Sequence, residues 1–198
     1  MALDGKLLSI RTKGKTGTLV ELTILLGTEK KKYTVSEGTY RRIGCPLSGE
    51  IIDGDSFDTL SRDDEERRAL IKALAILAYA DNSKQRLFTK LVSHGFSRDI
   101  ASSTVEECVR LGYINEDAQL ERFILRYYEQ LLGPKKIIAK LASRSYSAAQ
   151  ISKIIRSLEA QDKIDFAQSK KRLIREKLDE GASYEERLKL LYKYGYTK

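Results

Sequence analysis

The chain repeats itself every fifty residues, and a period of that length constrains a fold more than any single motif. Phe96, Tyr146 and Tyr196 fall at this spacing. So do Leu91, Leu141 and Leu191, then Ser97, Ser147 and Thr197, then Leu74, Ile124 and Ile174. Leu87 pairs with Ile137, Val105 with Ile155, Cys108 with Leu158 and Ile114 with Ile164. Within a unit the apolar spacing is helical: Leu70, Ala73, Leu74 and Leu77 follow the i, i+3, i+4, i+7 rule, as do Leu120, Phe123, Ile124 and Tyr127. Three helices per unit are predicted, over residues 68–80, 84–94 and 97–110, then 118–131, 134–143 and 147–161. Gly133-Pro134 suits a helix start. The repeated aromatic precedes a Ser or Thr cap, so it is expected to anchor a turn by packing rather than to stack on bases.

The third unit shows helices over 168–179 and 184–194 only. Its closing "YGYTK" matches "HGFSR" and "RSYSA", each of which leads into a third helix. Two readings are open. The last pair hides its apolar side against the second unit, or a missing helix leaves an apolar strip beside Leu188, Leu191 and Tyr192.

The front end has a different period. "LLSIRT" and "TLVELTILL" are β-rich runs around the turn residues "KGKTG", and "KKKYTVS" is a third strand. "EGTYRRIG" predicts one helical turn ending at Gly44, and "EIID" a short fourth strand. In "DGDSFDTLSRDDEERR", Ser61 and the acids Asp63, Asp64, Glu65 and Glu66 suit a solvated helix start. The expected fold is mainly α: tandem three-helix repeats in an elongated curved array, with a small N-terminal β-rich domain. Residues 1–60 form that domain and 61–198 the repeats, at about 67–116, 117–166 and 167–198.

Net charge is +8, and its distribution is uneven. Residues 1–66 hold 10 basic and 12 acidic groups, whereas 67–116 hold 8 and 5, 117–166 hold 9 and 6, and 167–198 hold 9 and 5. The positive excess thus follows residue 66, which points to a polyanionic partner for the repeats. Three clusters are candidates: Arg86 with Lys90; Lys135, Lys136, Lys140 and Arg144; and Lys170, Lys171, Arg172 and Arg175. Arg86 and Lys136 share one slot of the repeat and Lys90 and Lys140 another, so the charges are expected to recur as a stripe. About four phosphate contacts to a single strand would give a log–log salt slope near −3.

No catalytic or metal site is marked. "GKT" at 14–16 lacks the glycine that a phosphate loop needs five residues earlier, where Ser9 stands. "DGDSFD" puts Phe57 at a calcium-ligand position. His94 is the only histidine, and its sister positions are Arg144 and Tyr194, so it reads as an exposed polar residue at a helix end. Cys45 and Cys108 read as small buried apolar residues. No apolar run approaches the roughly 20 residues that span a bilayer, and "MALDGKLLSI" lacks a signal-peptide layout, so a cytoplasmic protein with no membrane partner is expected.

Several segments resemble the RecX family, bacterial regulators of RecA-type recombinase. "GYINED" at 112–117 is similar to the family's Gly-Tyr-(Ile/Leu)-Asp-Asp junction, with Asn115-Glu116 in place of Asp-Asp. "GPKKIIAKL" at 133–141 and "NSKQRLFTKLVSHGFS" at 82–97 resemble two further family patterns. The resemblance covers roughly residues 67–198. It implies a non-enzymatic regulator, without catalytic residues or cofactor, that binds the recombinase filament on DNA. Such a regulator limits filament growth and activities, modulating recombination, repair and the damage response. DNA, single- or double-stranded, would be reached through phosphate contacts. A monomer is expected, since three units can close their own core. The alternatives are a free-standing DNA-binding protein and a helical scaffold for another protein.

Overall fold

The computed structural model describes residues 4–14 and 18–197. Lys15 and Thr16 of "GKT", and Lys198, lie outside the described residues. By contact the chain divides into two compact units, Met1–Ala75 with Leu91–Glu106, and Ile76–Lys90 with Glu107–Lys198.

Alternation shapes the first unit. Strands β1 (Gly5–Lys13), β2 (Leu19–Leu26) and β3 (Glu29–Ser36) pair antiparallel, and β4 (Ile51–Ile52) pairs with the start of β1, giving the order β3-β2-β1-β4. Alternate residues Val20, Leu22 and Ile24 turn to one face, where they bury with Leu7, Tyr33, Val35, Ile52 and Leu60. Helix α1 (Glu37–Arg42) is the single helical turn expected, capped by the Ser36 hydroxyl on the Thr39 N–H. The first long helix, α2 (Gly54–Tyr79), starts earlier than its sequence suggested. Asp53 rather than Ser61 caps it, accepting the Ser56 N–H at 2.8 Å.

The acidic run is therefore mid-helix, and it is not simply solvated. Strand β3 is an edge, with outward amides that would stand open. Asp64, only 6% exposed, accepts the Thr34 N–H at 2.8 Å and the Arg68 Nε at 2.7 Å. Asp63 accepts the Ser36 N–H at 2.7 Å, and Arg67 donates to the Thr34 carbonyl at 3.0 Å. Side chains of α2 thus do for β3 what another strand would.

The remaining helices follow the fifty-residue register: α3 (Lys84–Ser93), α4 (Arg98–Arg110), α5 (Glu116–Glu129), α6 (Pro134–Ala142), α7 (Ala148–Ala160), α8 (Phe166–Lys177) and α9 (Tyr184–Tyr194). Burial repeats with sequence. Leu91 and Leu141 are fully buried and Leu191 nearly so, and Ile114 and Ile164 match at 3% exposure each. Burying each such side chain is worth roughly 1.5–3 kcal/mol, so the period is a period of stabilisation. The junctions between units are built alike. Gly112 (φ +77°) ends α4, Ile114 plugs the core and Asn115 caps α5; Asp162 (φ +54°), Ile164 and Asp165 do the same before α8. In the third unit Leu173, Leu191 and Tyr196 close a core with Leu131, while Tyr192 is exposed. His94 is exposed just after α3, as expected. Cys108 is buried, but Cys45 is exposed in a left-handed turn (φ +53°), which corrects the reading of both thiols as interior.

The repeated aromatic packs, and it carries a partner at a fixed offset. The buried Tyr146 hydroxyl donates to Gln119 Oε1 at 2.7 Å, and Tyr196 meets the Ser169 hydroxyl at 2.7 Å, both pairs 27 residues apart. The corresponding first-unit positions are Phe96 and Ala69, where neither side chain has a polar atom.

Middle helices of successive units meet end to end. Gly133 donates its N–H to the Tyr194 carbonyl at 2.7 Å, and Lys135 donates to the Gly195 carbonyl at 3.2 Å. The start of α6 thereby caps the end of α9. One unit earlier, Ser83 at the start of α3 donates its hydroxyl to the Arg144 carbonyl, just past the end of α6, at 3.0 Å.

A Cβ on Gly133 would stand 2.6 Å from the Gly195 carbonyl, whereas one on Gly181 would meet nothing within 4 Å. Gly133→Ala is expected to cost about 1–3 kcal/mol in denaturant unfolding, and Gly181→Ala almost nothing. Equal costs would show the joint to be loose. Tyr146→Phe strands Gln119 and is expected to cost about 1–3 kcal/mol, part of which Gln119→Ala should restore in the double variant. Burial above all, with the Asp81 and Glu116 carboxylates, pushes the Tyr146 phenol up to about 12 from its ordinary 10.0. The raised value stabilises the fold fully below pH 10 and is lost as pH climbs through 12. Alkaline unfolding of Tyr146→Phe should lack that share of the loss.

Candidate functional site

The basic side chains of α6 are the best-defined part of the candidate surface. Lys136 and Lys140 are four apart, so they share one helix face, and Arg144 follows in the turn just past the end of α6. Each lies over an aromatic ring: Lys136 Nζ is 5.9 Å from the Tyr194 centroid, Lys140 Nζ 5.5 Å from Tyr127, and the Arg144 guanidinium 4.7 Å from Phe123. Such seats are worth about 0.5–1 kcal/mol each at exposed sites, and they fix where the charge sits. Lys136 also donates to the Lys193 carbonyl at 2.7 Å, so part of its charge serves the α6–α9 joint. Lys135 and Lys140 are exposed.

On α3, Arg86 is exposed and Lys90 half-buried. Lys90 donates to Asn82 Oδ1 at 2.8 Å, and Asn82, itself buried, donates to the Ala80 carbonyl at 2.6 Å. Burial first, then the Arg86 charge, pushes the Lys90 ammonium below its ordinary pKa. The end-to-end joint at Ser83 brings the α3 pair and the α6 set into one succession of helices. The third cluster lies on α8, the first helix of its unit, and is not part of that succession. Lys170 donates to the Thr197 carbonyl at 3.2 Å and Arg172 pairs with Glu176 at 2.6 Å, while Lys171 and Arg175 are exposed. On α9 the slots of Lys136 and Lys140 hold Glu186 and Leu190.

The sequence reading missed the aromatic seats. Phe123 and Tyr127, four apart on α5, were the available signal, and their exposure to α6 follows only from packing. It also missed a recurrent basic slot, Lys72, Arg122 and Arg172, of which Arg122 bridges Asp81 at 2.8 Å. Among the described residues no group of three or more His, Cys, Asp or Glu is placed to hold a metal ion. Nor is any described helix long and apolar enough to cross a membrane.

No protein-family model matches the chain. Over 138 residues it is 24% identical to a protein of Lactobacillus gasseri named Regulatory protein RecX, a match covering 67% of this chain. The chain covers 49% of that curated relative, about half its length. A crystal structure of regulatory protein RecX superposes with a TM-score of 0.65 at 16% identity, over 98% of this chain and 95% of the other. The fold is that of the RecX proteins. A crystal structure of RecX from Lactobacillus salivarius aligns over 66% of this chain and 97% of its own, with 16% identity and a TM-score of 0.45.

The RecX-like segments now have a physical reading. "GYINED" is the turn, plug and cap that join one unit to the next. "GPKKIIAKL" opens on the glycine that permits the backbone contact between α6 and α9. These residues explain why such a fold forms, and the second segment also carries Lys135, Lys136 and Lys140 of the candidate surface.

Proposed function

We propose that the chain is a RecX-type regulatory protein that binds a RecA-type recombinase filament on DNA and limits its growth and activities. It thereby modulates recombination and repair. The observation that carries this reading is the likeness to Regulatory protein RecX, with family-like segments that fall on the structural joints of the repeats. The basic residues supply a mode of contact. Arg86, Lys90, Lys135, Lys136, Lys140 and Arg144 follow α3 and α6, and Lys170, Lys171, Arg172 and Arg175 follow α8. They face DNA phosphates or acidic loops of the filament, as solvated cations fixed by packing.

The mechanism is differential binding. A repeated surface contacts neighbouring filament subunits at once, and it shifts assembly only as far as its affinities for assembled, terminal and free subunits differ. The reading needs no covalent chemistry or cofactor.

Added to a growing recombinase filament, the protein should reduce filament length and ATP hydrolysis at stoichiometric ratios. No change in either would end this reading. It should also bind recombinase-coated single strands in preference to bare ones; equal, steeply salt-dependent binding would favour a free-standing DNA-binding protein instead. Lys135→Glu with Lys140→Glu should weaken the effect about tenfold or more, while unfolding stability falls by no more than the roughly 0.5–1 kcal/mol of the Lys140 seat over Tyr127.

A further inference from the structure

The first 66 residues carry slightly more acid than base, yet the fold separates the two signs. The face of the sheet turned away from its core is built of rows across three strands. One row is Lys6, Leu25 and Lys30; the next is Ser9, Thr23 and Lys32; then come Arg11, Glu21 and Thr34, and last Lys13, Leu19 and Ser36. Five cations meet one carboxylate among the described strand residues of this face. All five cations are exposed. Glu21 accepts from Lys13, and that bond, followed by the fields of Lys32 and Arg11, holds its carboxyl below the usual range. The cations therefore gather around a single counter-charge. The acids of the region lie elsewhere, many of them on α2, where Asp63 and Asp64 are committed to the β3 edge.

We infer that this sheet face binds the phosphate backbone of duplex DNA, independently of sequence. Strands rise about 3.3 Å per residue, so Lys6 and Lys13 stand roughly 20 Å apart, enough to reach phosphates on both sides of a major groove about 12 Å wide. Hydroxyls of Ser9 and Thr23 sit between the cations and can donate to phosphate oxygens. No aromatic ring occurs in the four rows, so the face lacks the stacking platform that would hold unpaired bases. The inference does not depend on the recombinase reading, because the ligand is bare duplex.

The test is fluorescence anisotropy of the full chain with a labelled random-sequence duplex, titrated at several salt concentrations. Arg11→Glu with Lys32→Glu should weaken binding at least tenfold and make the log–log salt slope shallower by about two. Arg11→Gln with Lys32→Gln should fall between that variant and the parent, and both should keep the parent's unfolding midpoint. Unchanged affinity and slope in the two variants would overturn the inference. So would a preference of this face for a single strand of the same length. Loss of binding to DNA-free recombinase with duplex binding intact would assign the face to an acidic protein instead.

Discussion

A helix leaves amides unpaired at its start and carbonyls unpaired at its end. Here the two defects cancel each other. The start of α6 gives its Gly133 and Lys135 amides to the carbonyls at the end of α9, and Ser83 answers the Arg144 carbonyl one unit earlier. Dipoles meet head to tail at these joints, which adds a modest attraction. Glycine is required where backbone meets backbone, and a hydroxyl serves where the gap is one side chain wider. The cationic slots of α3 and α6 lie on helices that this joint aligns.

Much of this was legible because a repeat is redundant. Helix type and order, the four strands and the packing role of Tyr146 follow from periods of two, of three to four and of fifty. What failed was local reading of features whose meaning is set at a distance. Asp63 and Asp64 look like a solvated helix start until β3 is placed beside them with two open amides. Cys45 looks apolar until the chain bends through a left-handed turn there. The cations of α6 were found, but not the rings beneath them, because Phe123 and Tyr127 belong to another helix. Summed charge was least informative in the front end, where pairing across strands collects Lys6, Arg11, Lys13, Lys30 and Lys32 on one face and conceals them in the total.

The two units carry basic surfaces of different construction. On the helices, cations are seated on rings and tied to helix ends, so little side-chain freedom is lost when they meet a partner. On the sheet, Lys13 pairs with the one carboxylate and the other four stand exposed around it, an arrangement suited to loose, salt-sensitive contact. In the proposed role as a filament regulator, the repeated helices would supply contact at fixed spacing and phosphate contacts would supply tolerance of sequence.

Amide hydrogen exchange at Gly133 and Lys135 probes the joint most directly. These are first-turn amides, which in an isolated helix would exchange freely. Slow exchange at both, comparable with the interior of α6, is the predicted result. Exchange at the rate of an open helix start would mean that α6 and α9 do not meet, and the alignment of the basic slots would lose its cause.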